Sequence, residues 1–230
     1  MVDATSGIVT FNTPVILAFP QALFEAKKFK NKGKESGEPK YGASFVFPPE
    51  HPDFKVLKDR AILLAKEKWP GRDIGADYKA KQFLMPWKQG DTQVAKRLAK
   101  LSAEGKPDDG KSDFLKGQII IKSASKFAPR YAVITGKTIS DDLEGPGLAA
   151  NKGKFYFGAL VLVQFNLSAY DKVGENGTDG VTAYINLVAS TGTGKRLSGG
   201  TPAKEAFSGY AGSSSTEDPT GGELEDADGF

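Results

Sequence analysis

Residues 154–171, KFYFGALVLVQFNLSAYD, alternate between two kinds of side chain along their whole length. The odd-numbered positions from Phe155 to Ala169 are all apolar, whereas the even-numbered positions include Gln164, Asn166 and Tyr170. A period of two with one wholly apolar face is typical of a half-buried β-strand. A strand of this length can bend around a barrel, so the stretch predicts an antiparallel, barrel-like sheet.

Further strands are predicted on both sides of this stretch. After it, residues 172–180 form a hairpin loop and VTAYINLVAS (181–190) forms the return strand. Before it, strands are expected at 115–127 and 130–135. Near the N-terminus, β-branched and aromatic residues predict strands at 7–19, with a break or bulge at Pro14, and at 41–48.

Helical periodicity appears between these two groups of strands. In residues 51–69, Phe54, Leu57 and Ala61 fall on one face, with a proline at each end of the segment. A shorter helix is predicted at 92–103, and the stretch between the two helices is irregular. The chain is therefore predicted to be mainly β, an OB-fold-like antiparallel β-barrel. It carries an α-helix inserted after the second strand, whereas the usual arrangement has its helix after the third.

The net charge of +3 is distributed unevenly. The last 20 residues carry six carboxylates and no cation, so the other 210 carry +9, the difference between +3 and −6. Such asymmetry points toward a polyanionic partner. The alternative, which composition alone slightly favours, is an ordinary basic surface with an acidic tail that aids solubility. Loss of periodicity in a Gly- and Ser-rich stretch predicts a domain over 1–200 and a flexible linker with a disordered acidic tail over 201–230.

The sequence points away from an enzyme. The absence of cysteine excludes thiolate catalysis and Cys-ligated zinc. The single histidine, His51, is expected to be a solvent-exposed residue at a helix start. STGTGKRLSGG (190–200) lacks the first glycine and the Ser or Thr of a P-loop. No metal or cofactor is expected. The N-terminus does not resemble a signal peptide and no membrane partner is expected, so a cytoplasmic location is predicted.

Basic residues interleaved with aromatic ones mark the candidate binding surface. Ammonium and guanidinium groups neutralise phosphates and rings stack on bases, a combination that suits a single strand. A plain solvated loop at 27–40, and tyrosines packed under a helix, remain alternatives. The candidate residues are Lys28, Phe29, Lys30, Lys32, Lys116, Lys122, Lys126, Phe127, Arg130, Tyr131, Tyr156, Tyr170 and Tyr184.

The chain resembles the phage-type single-stranded DNA-binding proteins, a phage family formerly catalogued as a domain of unknown function and related to the single-stranded DNA-binding protein of T7-like phages. The resemblance is carried by GQIIIKSASKFAPRYAV (117–133) and by the strand, Gly-bearing hairpin and return strand of 155–200. It implies an OB-fold with a helix after the second strand. It also implies a protein that coats and protects single-stranded DNA (ssDNA) in phage replication and recombination, in the host cytoplasm.

The acidic tail suggests a competitor for the same cationic surface. A tethered polyanion would compete with weak nucleic-acid binding and, once displaced, dock on phage or host replication proteins. The tail residues assigned to such partners are Glu223, Glu225, Asp226, Asp228 and Phe230. The alternative is a β-rich virion structural or assembly protein without nucleic-acid binding, and self-association into a homo-oligomer is compatible with both.

Overall fold

The computed structural model describes residues 7–31, 34–140, 143–172 and 177–197. These residues belong to one compact unit, Met1–Ser198, while the second unit, Gly199–Phe230, lies outside them. The strands are β1 (Ile8–Asn31), β2 (Lys34–Phe47), β3 (Trp87–Gln89), β4 (Ile119–Ser125), β5 (Arg130–Thr135), β6 (Thr138–Ser140), β7 (Ala159–Tyr170) and β8 (Gly180–Gly194). The helices are α1 (Pro52–Lys68), α2 (Ile74–Lys79), α3 (Gly90–Ala103) and α4 (Gly145–Asn151).

The strands form one sheet in the order β3-β4-β2-β1-β7-β8-β5-β6. β4 and β5 are consecutive in the chain but lie far apart in this order, on opposite flanks of the sheet, with only residues 126–129 between them. The sheet must therefore curl until these two flanks meet. No ladder joins β4 to β8 at this seam. The Ser123 hydroxyl instead donates a 2.5 Å hydrogen bond to the carbonyl of Ala183. The mainly β, OB-like fold with a helix after the second strand is confirmed.

The lysine-rich segment 25–40, whose composition predicts a basic loop, forms paired strands over its described residues 25–31 and 34–40. β1 and β2 pair from Ile16↔Val46 to Asn31↔Lys34, with irregularities after Ala18, Ala22 and Lys27. The ladder is made by backbone groups, which a lysine supplies as well as any other non-proline residue. The lysine content therefore showed that the segment is solvated but not that it is unpaired.

The main core lies inside the curl of the sheet. Phe11, Phe45, Phe47 and Phe165 are fully buried there and meet mostly edge to face, with ring centroids 5.2–5.5 Å apart. α1 packs its buried face against this core through Phe54, Leu57, Ala61 and Ala65. The helix predicted from their spacing is confirmed.

A second, smaller core lies on the outer side of the sheet. It joins Ala18, Val46 and Ile120 of three neighbouring strands to Val94 of α3 and Leu115 of the short 3-10 turn Asp113–Leu115. The helix predicted at 92–103 is thereby confirmed as α3. Because it covers only part of the outer surface of β1, β2 and β4, the remainder of that surface is open.

His51 is buried, contrary to expectation. Its ring is 6 % exposed and stacks on Phe11 with centroids 5.2 Å apart. Its Nδ1 accepts a 3.3 Å hydrogen bond from the backbone N–H of Asp53, which caps the start of α1. The residue therefore stabilises the junction between helix and barrel.

The long strand predicted at 154–171 begins later, at Ala159. Lys152–Lys154 form a 3-10 turn, and Gly158 has φ +99°, a backbone conformation that favours glycine. A Cβ at this glycine would lie 1.9 Å from the carbonyl oxygen of Lys195. From Ala159 to Leu167 the odd-numbered side chains are buried, as the alternation predicted. In the part of the chain that the structure describes, no helix is long and apolar enough to span a bilayer.

Candidate nucleic-acid interface

A cleft of about 560 Å³ opens where the seam between β4 and β8 lies. One wall comes from Lys40 in the middle of β2, the end of β4 and the turn 126–129, and the other from β7 and β8. Four of the predicted residues meet here. The lining residues are Lys40, Ala124, Ser125, Lys126, Phe127, Ala128, Arg130, Asn166, Tyr184, Ile185 and Asn186.

Phe127 projects from the turn, and its side chain is 81 % exposed. Its backbone N–H donates a 3.0 Å hydrogen bond to the Ser125 hydroxyl, which fixes the start of the turn, and Pro129 restricts the end. An aromatic ring exposed to this degree beside a polar cleft contributes little to the stability of the fold. It offers a stacking face to a ligand.

Tyr184 supplies an aromatic ring on the opposite wall. It lies across from Asn166 in the β7–β8 ladder and is 39 % exposed. Tyr170 lies close behind it and is half-buried; burial, with smaller contributions from Tyr184 and Asp179, raises the pKa of Tyr170. Tyr170 therefore supports Tyr184 rather than lining the cleft itself.

A bulge in β8 directs an amide into the cleft. Gln164 pairs with Leu187 and Phe165 pairs with Ile185, so Asn186 is the extra residue. The Asn186 amide donates to Oε1 of Gln164, whose own amide donates a 3.0 Å hydrogen bond to the Thr10 hydroxyl. These hydrogen bonds hold the Asn186 side chain in one orientation and leave its carbonyl oxygen available to a ligand.

The charges around the cleft are positive. Among its described lining residues, Lys40, Lys126 and Arg130 are cationic and none is acidic. Lys126 forms an ion pair with Glu38 of β2, and this hydrogen bond and charge hold the pKa of the Glu38 carboxyl below its usual value. The surface thus combines two rings, two side-chain amides and three cations, the set of groups that suits single-stranded nucleic acid.

Tyr131 lies in the core and not in the interface, contrary to the role assigned to it. It is 6 % exposed, and its ring stacks on Phe24 with centroids 5.1 Å apart. Its hydroxyl donates a 2.6 Å hydrogen bond to the carbonyl of Leu23. Burial raises the pKa of Tyr131 to about 12. A ring sealed in this way cannot stack on a base.

Three other predicted residues lie away from the cleft. Lys116 precedes β4 and is paired with Asp113 at 2.7 Å. Tyr156 precedes β7, where its hydroxyl donates to the carbonyl of Gly194 at 2.8 Å and the Arg196 guanidinium covers its ring. Lys122 points outward from the middle of β4, beside the cleft but not in its lining.

The remaining predicted residues are only partly described. Lys28 is exposed on β1, and Phe29 and Lys30 follow it in the same strand. Lys32 and the tail residues Glu223, Glu225, Asp226, Asp228 and Phe230 lie outside the described residues. The structure adds Lys40, Asn166 and Asn186 to the interface. For Asn186 the sequence carries no signal, since a bulge leaves no mark in the pattern of residue types.

A comparison of the sequence with models of protein families identifies the family to which the chain belongs. The model of the family described as the ssDNA-binding protein of Enterobacter phage Enc34 matches residues 8–219. The chain belongs to this family of phage ssDNA-binding proteins. The resemblance stated from the sequence is therefore confirmed.

Two solved structures of one phage protein share the fold, and a third solved structure is less similar. The single-stranded DNA-binding protein from bacteriophage Enc34 in complex with ssDNA matches with a TM-score of 0.52 and 17 % identity, over 80 % of this chain and 86 % of that one. Its C-terminal truncation gives a TM-score of 0.53 and 17 % identity, over 80 % and 85 %. gp2.5, a single-stranded DNA-binding protein of bacteriophage T7, gives 0.45 and 14 %, over 95 % and 98 %. A comparison with curated proteins gave no match.

Proposed function

We propose that this chain coats single-stranded DNA during phage DNA replication and recombination, with little sequence preference and without chemistry of its own. The observation that carries the proposal is the cleft at the seam, where Phe127 and Tyr184 are exposed among Lys40, Lys126 and Arg130. Family membership supports the same conclusion. The protein would act in the cytoplasm of the host cell.

The two kinds of group in the cleft would divide the work of binding. The cations neutralise phosphates and release counterions, which makes affinity fall steeply with salt. The rings stack on bases, and because every base has a π-face this contribution tolerates any sequence. The described surface is compatible with the site sizes of about 4–16 nucleotides per OB fold that are usual for such proteins.

The proposal assigns residues 1–200 to the binding domain and 201–230 to a linker and acidic tail. The tail would compete with DNA for the cationic cleft, because tethering gives it an effective concentration of the order of millimolar. Strong DNA binding would displace it, so that its carboxylates and Phe230 could recruit phage or host replication proteins. The charge difference between body and tail supports this assignment.

Fluorescence anisotropy with labelled single- and double-stranded oligonucleotides at two salt concentrations tests the binding. Wild type should prefer the single strand and weaken at higher salt. Charge reversal of Lys122, Lys126 and Arg130 together should abolish binding. The matched control reverses three exposed lysines of α1 and α2, Lys55, Lys66 and Lys79, and should retain much more affinity. Full affinity in the first variant would move the site elsewhere.

Deletion of residues 211–230 tests the role of the tail. Single-strand affinity should rise, most strongly at low salt, because the competing polyanion is gone. Equal affinity of the two proteins at low salt would contradict the competition. Size-exclusion chromatography with and without oligonucleotide would show self-association alone if the protein were a virion component.

A further inference from the structure

A second depression lies beside the cleft, on the open part of the outer surface of β1, β2 and β4. This trough has a volume of about 390 Å³. It shares Ala124 with the cleft, so the two form one continuous surface along β4. The trough is lined by Phe19, Gln21, Ala22, Gly42, Ala43, Ser44, Lys122, Ser123 and Ala124.

Phe19 stands at the end of the trough in an unusual backbone conformation. Its φ is +52°, a region that non-glycine residues with large side chains rarely adopt, at the irregularity in β1 between Ala18 and Ala22. The ring packs against Phe157 and Phe114, with centroids 5.1 and 6.2 Å away. It nevertheless remains 44 % exposed. The conformation thus holds a large ring at the surface, backed by two others.

Cations accompany this ring as they accompany Phe127 in the cleft. Lys122 lines the trough, and its ammonium donates a 2.9 Å hydrogen bond to Oε1 of Gln93. Partial desolvation and repulsion from Lys88 and Lys96 lower the pKa of Lys122. Lys122 in the trough lining thus lies near two further lysines, and a phosphate placed beside it would relieve their repulsion.

Small residues form the floor between the two aromatic ends. Ala22, Gly42 and Ala124 leave the sheet surface low at this point. A Cβ at Gly42 would lie 2.8 Å from the carbonyl oxygen of Ser123, so the sheet here has no room for a larger residue. The low floor leaves space for a nucleotide chain above it.

We propose that the bound single strand continues from the cleft across Ala124 into the trough, where one base stacks on Phe19 and a phosphate contacts Lys122. This inference rests on the proposed function and extends it by naming a second stacking subsite. The two cations that mark the trough and the cleft are Lys122 of β4 and Lys126, which directly follows this strand; they are four residues apart, about 13 Å at the usual rise of a strand. A short oligonucleotide can therefore occupy the cleft alone, whereas a longer one reaches the trough.

Affinity measured against oligonucleotide length tests the proposal. Oligo-dT of about 4 to about 16 nucleotides spans the usual range of an OB fold. Phe19→Ala should bind the shortest strand as wild type does and the longest about 5- to 150-fold more weakly, the contribution of one stacked base. Lys122→Gln should show the same dependence on length with a smaller loss. The matched controls, Val56→Ala and Lys55→Gln on α1, should behave as wild type at every length.

The outcomes separate this inference from the proposed function. If wild type binds no oligonucleotide of any length, the proposed function fails. If wild type binds but Phe19→Ala and Lys122→Gln match it at every length, only the trough is refuted. An equal loss at all lengths also refutes it, because a subsite beyond the cleft cannot affect strands too short to reach it. Lys122→Gln keeps the test decisive if Phe19→Ala does not fold.

Discussion

Replacing Phe127 by alanine should weaken DNA binding without weakening the fold. The side chain is 81 % exposed, so its removal should change the free energy of unfolding by no more than about 0.5 kcal/mol. One base stacked on an aromatic ring contributes about 1–3 kcal/mol. The dissociation constant for single-stranded DNA should therefore rise about 5- to 150-fold.

Tyr131→Phe provides the opposite case only four residues further along the chain. The substitution keeps the ring and removes the hydroxyl that donates to the carbonyl of Leu23. Leaving that buried carbonyl without its partner should lower the free energy of unfolding by about 1–3 kcal/mol. Because Tyr131 does not reach the cleft, affinity for DNA should be unchanged.

Two measurements on both variants decide the matter. Anisotropy with a labelled oligo-dT gives the dissociation constant, and chemical denaturation gives the free energy of unfolding. Phe127→Ala should change only the first and Tyr131→Phe only the second. Wild-type affinity in Phe127→Ala, or a loss of affinity in Tyr131→Phe at a temperature where both are folded, would refute the division of these aromatics between interface and core.

Three further predictions concern an ion pair, the titration of a buried tyrosine and a closely packed glycine. Glu38→Gln frees Lys126 from its ion pair. Affinity for single strands at low salt should therefore rise about 1.5- to 5-fold, which corresponds to the usual energy of an exposed ion pair. Fluorescence anisotropy would measure this rise, and weaker binding would contradict it. The pKa of Tyr131 is about 12 when folded and about 10 when unfolded, so its contribution to stability is complete below pH 10 and is lost as pH rises toward 12. Alkaline denaturation of wild type should show this loss, and Tyr131→Phe should lack it. A Cβ at Gly90 would lie 1.8 Å from a backbone carbonyl oxygen, so Gly90→Ala should destabilise the protein by about 1–3 kcal/mol or more. The control is Gly153→Ala, because a Cβ at Gly153 would have nothing within 4 Å. Thermal melting should show a lower melting temperature for the first variant and almost no change for the second.

The sequence predicts the parts of this fold whose side chains alternate cleanly between core and solvent. β7 and α1 follow from periodicity alone, since each has one buried face over several turns or residue pairs. The pairing of β1 with β2 over 25–40 does not, because the lysine-rich sequence there shows no alternation and the stabilising hydrogen bonds lie in the backbone. Amino-acid composition indicates how polar a segment is, but it does not show whether the backbone of that segment pairs with another strand.

The candidate site is predictable in kind but not residue by residue. Basic and aromatic residues around 126–131 predict a binding surface, but they do not tell which side chains face outward, since Phe127 is exposed and Tyr131 is buried. The turn at 126–129 intervenes between them and resets which side of the chain faces the core. The bulge at Asn186 interrupts the alternation in β8, where Val181, Ala183 and Ile185 are buried before it and the consecutive residues 188–190 are buried after it. Such interruptions of the buried and exposed alternation depend on how strands pair in the folded protein, which local residue types do not predict.

The seam between β4 and β8 explains why the cleft, and with it the proposed interface, lies where it does. Unpaired strand edges expose backbone donors and acceptors that invite other chains to pair. Here the Ser123 hydroxyl satisfies one carbonyl of β8, and β5 pairs in parallel with the same strand further along. The turn 126–129 carries the chain across this gap, and its flanking residues Lys126 and Arg130 must therefore border it. The missing ladder between β4 and β8 thus leaves the space that forms the cleft. The turn 126–129 crosses this space and places Phe127, Lys126 and Arg130 at its edge. None of these three side chains belongs to the hydrophobic core.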